Sequence, residues 1–590
     1  KEVLKRLQAV GPSLVEPIAL VLKSVSLTTL NKSIVPPLIS MIGNQGKLAP
    51  VELDSAPRVL ISRDMVRTAQ RIIEIIGKLH PKMFLNHISE LFTQFTSLDY
   101  ETEPCKVQEQ LRVVVDFAKT FSKHIPSDKY LEKMLTNIVM GGDVECAKRA
   151  ATVLSAMPDA TAQCESVVKE LFEMAQERPE RLAAALAALS KFAQYAPKAF
   201  SAASADIVNY VVKNVLMSNA GEVKPESESV AAWVDRYSLS QMGLAKVYAV
   251  KLLTNRLFGL HVNDWSKSIT VPVLNLLRTL VRDSGELLPE KDTNHINRNH
   301  LRLTGASCLL KLARSIVFER MITIEDFRHL ALVAQDPCYQ VRDAFLTKKL
   351  IPALASMRVH ARYISTLFLV AHDPEKDIKN NVKHFVAQRL SQIRPGGAGT
   401  PAISETCFPE FLDLLAHHPD WDDNELMATV ELFTPYINFY LSCAATANNS
   451  SLLYHYASRL KTVRSAYGEE AISRRLYVLG ELASYLIQAK CMAANWGLPT
   501  YPGTAPMSAE LFIPIPPEEQ QQPSTDRLLA GMKRGSPRSP RTKQSKRAKV
   551  KELAEETPSR IMRRRSTARG KTLKEESSDT ELESDMDSDY

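Results

Sequence analysis

Over most of the first five hundred residues, apolar positions recur three and four residues apart, and short turn-rich breaks separate the runs. "RDMVRTAQRIIEIIGKL" (63–79) and "PERLAAALAALSKFA" (179–193) are two such runs. This spacing lines apolar side chains along one helix face. Prolines expected to open helices follow several of them, at Pro81, Pro126, Pro158 and Pro197, with separations of 45, 32 and 39 residues. At 336 the chain reads "DPCYQVRDAFLTKKL", and thirty-seven residues later "DPEKDIKNNVKHFVAQRL" begins with Asp373 and Pro374. In both, the aspartate (Asp336, Asp373) suits the N-cap and the proline (Pro337, Pro374) the first helical position. Val341, Phe345 and Leu346 form one apolar stripe, and Ile378, Val382, Phe385 and Val386 its counterpart. Arg342 and Lys379 are expected at the stripe edges.

These intervals lie near the period of paired-helix HEAT and armadillo repeats, about 40–47 residues. One such unit cannot bury its apolar face alone, so neighbours must stack. The pattern predicts an all-α, HEAT/armadillo-like helical-repeat solenoid over 1–497. A Pro-rich extended segment, 498–519, is expected to pack on its end through Leu511, Phe512 and Ile513, and a disordered tail to occupy 520–590. Turn-rich connectors are expected at 218–233, 282–299 and 394–405, and a last helical hairpin across 451–490. The opening "KEVLKRLQAV" lacks a methionine and reads as the middle of a helix, which suggests a fragment whose beginning is missing.

Composition agrees with helices: 45% of the 590 residues are apolar, glycines number 21, and aromatics make up 7%. Eight cysteines are scattered without a C-x-x-C pair, so a zinc site or disulfide framework is not expected, and a reducing compartment is. No stretch of 18 uncharged apolar residues predicts a membrane span. "PGGAGT" (395–400) has neither a phosphate-binding lysine nor dinucleotide-motif spacing, and reads as a connector. "HHPDWDD" (417–423) invites a metal, but adjacent histidines at a helix end point apart and no second ligand set is visible. No nucleophile–base spacing stands out. The expectation is a protein without catalysis, cofactor or metal.

The net charge of +8 is unevenly placed. From Lys533 to Lys574 there are 16 Lys/Arg against 3 Glu, and the last sixteen residues carry 8 acids and no base. Basic clusters at Lys533 and Arg534, at Lys546, Arg547, Lys549 and Lys551, and at Arg563, Arg564 and Arg565 read as nuclear-import or DNA-contact patches. Ser536, Ser539 and Ser566 are candidate phosphorylation sites; each phosphate would cancel roughly 1.5 to 2 of those charges.

Residues 322–390, "ITIEDFRHLALVAQDPCYQVRDAFLTKKLIPALASMRVHARYISTLFLVAHDPEKDIKNNVKHFVAQRL", resemble the precocious-dissociation-of-sisters (Pds-five) family of cohesion factors. "LRLTGASCLLKLAR", "YAVKLLTNRLFGL" and "SRRLYVLGELASYLI" extend the likeness over much of 60–515, in the order of that family's C-terminal half. The resemblance implies a non-enzymatic HEAT scaffold that binds cohesin through its kleisin subunit, on chromatin in the nucleus. It also implies work with a Wapl-type release factor and the cohesin acetyltransferase, and weak DNA contact is expected through the tail. The alternatives are another nuclear HEAT scaffold (a cohesin loader or a condensin-type subunit) and a tail-driven DNA-binding protein.

Overall fold

The computed structural model describes residues 34–43, 63–79, 81–219, 229–260, 267–290, 293–397, 400–467, 470–503 and 505–516. Among these, helices dominate, and Val463–Ser465 and Phe512–Pro514 are the two strands. The fold is all-α, of the helical-repeat solenoid class that the apolar spacing predicts. No helix among the described residues is long and apolar enough to cross a membrane. The described residues form two compact units. One takes those up to Ser229 with Val234–Cys308; the other takes Val230–Trp233 with those from Leu309 onward.

At the centre of the first unit lies the helix Leu182–Tyr195, buried from Leu182 through Gln194. Its alanines explain why: a methyl on each face lets neighbours approach from several directions, and a helix apolar all round belongs in a core. It packs against the helices Gln241–Gly259 and Val144–Ala156. Approach to the former is so close that a Cβ on Gly259 would lie 2.0 Å from the Ala193 carbonyl oxygen. Asn255 Nδ2 donates to the carbonyl and hydroxyl of Ser190, both at 3.3 Å. Buried Glu145 is paired with Lys148 at 2.9 Å and Arg149 at 3.2 Å, and accepts from the Tyr248 hydroxyl at 3.2 Å.

Helix starts in this unit correct part of the proline expectation. Pro197 is the first residue of the helix Pro197–Ser201, and Pro81 opens a 3-10 helix, Pro81–His87, that leads into Ile88–Thr96. Pro126 and Pro158 instead lie three residues ahead of the helices Lys129–Gly141 and Thr161–Glu177. Asp128 takes the cap in the first case, accepting from the Tyr130 N–H, because a side-chain acceptor satisfies a free amide where proline cannot.

The second unit is a stack of helix pairs. Their first members are Ile324–Leu332, the 3-10 helix Ala361–His372, Phe408–Ala416 and Ser450–Arg459. Their second members are the run from Tyr339 to Ala355, then Lys376–Gln388, Leu426–Ala444 and Glu470–Ala494. First members touch first members and second members touch second, as stacked repeats require. Both predicted stripes are buried, with Val341, Leu346, Val382 and Val386 fully so. The run from Tyr339 widens into a π-helical stretch, Ala344–Leu350, just before Pro352. A proline there donates no amide and crowds the preceding turn, which accounts for the wider winding.

The segment after the last helix returns to this unit. Phe512–Pro514 pairs antiparallel with Val463–Ser465, Ser465 opposite Phe512 and Val463 opposite Pro514. Leu511 and Phe512 are buried and Ile513 is exposed, so two of the three expected anchors pack. The strand pairing itself has no signal in a stretch so rich in proline.

Candidate functional site: the turns between paired helices

Asp336 and Asp373 sit at equivalent turns, each between the two helices of a pair. Neither is an N-cap: the helices begin at Tyr339 and Lys376, with Cys338 and Glu375 in the cap positions. Each aspartate instead accepts from the amide two residues on, Cys338 N–H and Glu375 N–H, both at 2.8 Å. Pro337 and Pro374 therefore lie in the turn and not at the first helical position. This aspartate turn competes with capping because the short side chain reaches its own i+2 amide without strain.

Arg342 is not at the stripe edge; it is 4% exposed. Its Nε donates to Asp373 Oδ2 at 2.8 Å, its Nη2 to Asp373 Oδ1 at 3.4 Å, and its Nη1 to the Asp336 carbonyl at 2.7 Å. One guanidinium thus ties the turn of its own repeat to the turn of the next. The two Asp-Pro signatures are halves of one buried contact.

A third turn completes the series with different chemistry. His418 and Pro419 stand where the earlier repeats have Asp and Pro, and His418 Nδ1 accepts from the Asp420 N–H at 3.2 Å. Because an amide can only donate, the ring proton is on Nε2, which gives its hydrogen bond to Gln335 Oε1 at 2.7 Å. Gln335 Nε2 in turn donates to the Leu369 carbonyl at 3.2 Å and the Tyr436 hydroxyl at 2.5 Å. Burial, and His372 nearby, hold His418 down to about 4, so it is neutral near pH 7. Of the three acids of "HHPDWDD", Asp423 is drawn to Arg475 at 2.5 Å and accepts from Trp421 Nε1 at 2.8 Å. No cluster of metal-ligand type occurs among the described residues.

The "His-Pro" dipeptide was the available signal for this third turn, hidden because the histidines suggested a ligand pair. Chemically, these turns hold repeats in register; they present no nucleophile with a base. Burial pushes the thiols of Cys146 and Cys164 up to about 12 and that of Cys443 up to about 11, which keeps them protonated and unreactive. The proposed import, DNA-contact and phosphorylation residues, Lys533 through Ser566, lie outside the described residues, as does the opening "KEVLKRLQAV".

The family model described as "Sister chromatid cohesion protein PDS5 protein" matches residues 1–513. Sister chromatid cohesion protein pds5 of Schizosaccharomyces pombe is 25% identical over 461 residues, covering 78% of this chain and 37% of that protein. PDS5 of Saccharomyces cerevisiae is 24% identical over 495 residues, covering 77% of this chain and 38% of that protein. PDS5 homolog A of Homo sapiens is 28% identical over 338 residues, 55% of this chain and 25% of that protein. The chain spans well under half the length of these relatives. With a family match that takes in both units and ends within the strand Phe512–Pro514, the chain belongs to the sister chromatid cohesion protein PDS5 family.

Proposed function

We propose that this chain is part of a non-enzymatic helical scaffold that engages cohesin on chromatin and regulates the maintenance and release of sister-chromatid cohesion. The observation that carries this is the family match across residues 1–513, which takes in the helical body and leaves out the basic tail. In this reading the body contacts the kleisin subunit, and a Wapl-type release factor and the cohesin acetyltransferase act with it in the nucleus. Stacked helix pairs suit that role, since they offer a long surface to extended partner segments. The test is affinity capture from nuclear extract, with mass spectrometry, of the full chain and of a version ending near Pro517 that carries a fused import signal. Cohesin subunits are expected with both. Their absence from both overturns the proposal, and their loss on removing the tail alone moves the contact to the tail.

The basic run favours a second, accessory activity: nuclear import and weak, sequence-independent DNA binding by 533–574. Each phosphate contact contributes about −0.9 to the slope of log affinity against log salt. Replacing Lys546, Arg547, Lys549 and Lys551 by alanine should flatten that slope and reduce import; removing the acidic residues 575–590 should strengthen DNA binding. An unchanged slope and unchanged localisation in the four-alanine variant would reject the accessory role.

A further inference from the structure

In the second unit a cavity of about 240 Å³ opens between the start of the 3-10 helix Ala361–His372, the junction before the helix Phe408–Ala416, and the returning segment at 506–508. Its walls include Ala361, Pro409, Pro506 and Met507, the polar residues Thr406 and Ser508, and one carboxylate, that of Glu410. The Glu410 Oε2 atom is buried and has no hydrogen-bond partner. A buried carboxylate oxygen without a partner is costly, so its retention asks for a reason.

Each nearby arginine already has a carboxylate partner of its own. Arg362 is held by Glu319 at 2.7 Å and by the Ile322 carbonyl at 3.2 Å, with the rings of Phe327 and Tyr363 each 5.4 Å from its guanidinium carbon. Arg328 pairs with Asp413 at 3.1 Å. The charges that act on Glu410 are Arg362 from the adjoining helix, Asp413 from its own helix and exposed Glu510 from the returning segment. Acids outnumber bases among them, and the one cation already pairs with Glu319 through Nη2. The cavity is below the roughly 300 Å³ at which pockets for whole small molecules begin. Apolar and small hydroxyl-bearing residues around a single anionic group suit a methylene stem with a charged head that can also donate.

We propose that this cavity seats one basic side chain, lysine or arginine, presented by an extended segment of a partner protein, with the Glu410 carboxylate as its counter-charge. The site stands whether or not the partner is cohesin. Burial, opposed by Arg362 and helped by Asp413 and Glu510, pushes the empty-site carboxyl up to about 7. A docking cation must therefore displace a proton below that pH. Affinity should fall about tenfold per unit as pH drops below 7 and level off above it.

The test is saturation-transfer NMR on the full 590-residue chain, with blocked Gly-Arg-Gly and Gly-Lys-Gly peptides as probes and the citrulline peptide as a neutral isostere. Transfer to the basic peptides is expected, with binding weakened about tenfold or more for the citrulline peptide and for Glu410→Gln, in line with a charge-assisted contact. Ala361→Leu, which fills the cavity and leaves the charge, should weaken it as much. Glu410→Gln should melt at the same temperature as the parent or higher, because an uncompensated charge is removed. No transfer to the parent chain, equal binding of arginine and citrulline, or a lower melting temperature in Glu410→Gln each overturn the proposal. If alanine at Lys546, Arg547, Lys549 and Lys551 tightens peptide binding tenfold, the occupant is the chain's own tail and the partner assignment fails.

Discussion

At the centre of the first unit, Leu182–Tyr195 is buried mainly by alanine and leucine, with the Asn255–Ser190 contact near its end, and its neighbours come close enough to require Gly259. At the turns of the second unit, Arg342, Asp373 and His418 are buried as deeply, at 4, 6 and 4% exposure, but among polar partners. Apolar packing is non-directional, so the first region specifies distance more than register. The buried pair and the proton on His418 Nε2 accept one geometry only, so the second region specifies which turn meets which. Such a pair adds little net stability compared with apolar residues of the same size, while losing one partner is severe.

Breaking the ladder should therefore have the largest effect. Arg342→Ala leaves Asp373 buried without its cation, and about 3–5 kcal/mol should be lost from this unit. With two units, no single unfolding energy applies, so the measurement is hydrogen exchange of peptides from each unit. The double variant Arg342→Met with Asp373→Leu should recover much of that loss; if it does not, the ladder contributes net stability and the contrast with the apolar region weakens.

Acid should come next. The histidine at the third turn is held at about 4 against an ordinary 6.5, so the folded state excludes a proton that the unfolded chain accepts. Its contribution is then intact above 6.5, falls as pH drops through it, and stops falling below about 4, with a total near 3 kcal/mol. Glu410, held up to about 7, contributes in the opposite direction in the same segment, so the measurement is the difference between parent and variant. His418→Asn keeps an acceptor for the Asp420 amide and cannot titrate; between pH 7 and 4, peptides from 400–445 should lose less protection, or gain more, in that variant than in the parent.

Overpacking should separate the regions in the opposite direction. Ala188→Leu adds three carbons where nothing is exposed and should cost about 1–3 kcal/mol in the first unit alone. The smallest effect belongs to Asp336→Ala, which removes one hydrogen bond to the Cys338 amide, about 1 kcal/mol. Comparable losses from Asp336→Ala and Arg342→Ala would mean that the turns act singly and not as a ladder.

The apolar stripes and the recurrence of Asp-Pro were legible because each depends on residues within one helix. The partner of Arg342 was not, since it lies thirty-one residues away and nothing local distinguishes a buried arginine from one at a stripe edge. Capping by Asp336 and Asp373 was misplaced because a cap and an aspartate turn share the same residue and differ by where the helix starts. His418 escaped notice as the third member because imidazole replaces carboxylate while doing the same task with Nδ1. The Glu410 cavity has no sequence signature at all; it forms from three segments up to about 150 residues apart.

The strand Phe512–Pro514 bears on where this protein can be cut. Val463–Ser465 has one edge paired by that returning strand, with Ala466 and Ile515 extending the pairing through Leu511 and Thr462, while the Ser465 N–H donates to the Ser473 hydroxyl. A recombinant piece trimmed to the end of the last helix, near residue 497, would bare this edge beside the apolar side chains of Leu460 and Val463. Bare edges recruit other strands. Such a piece should self-associate during purification, whereas one that keeps residues to 516 retains its own cover.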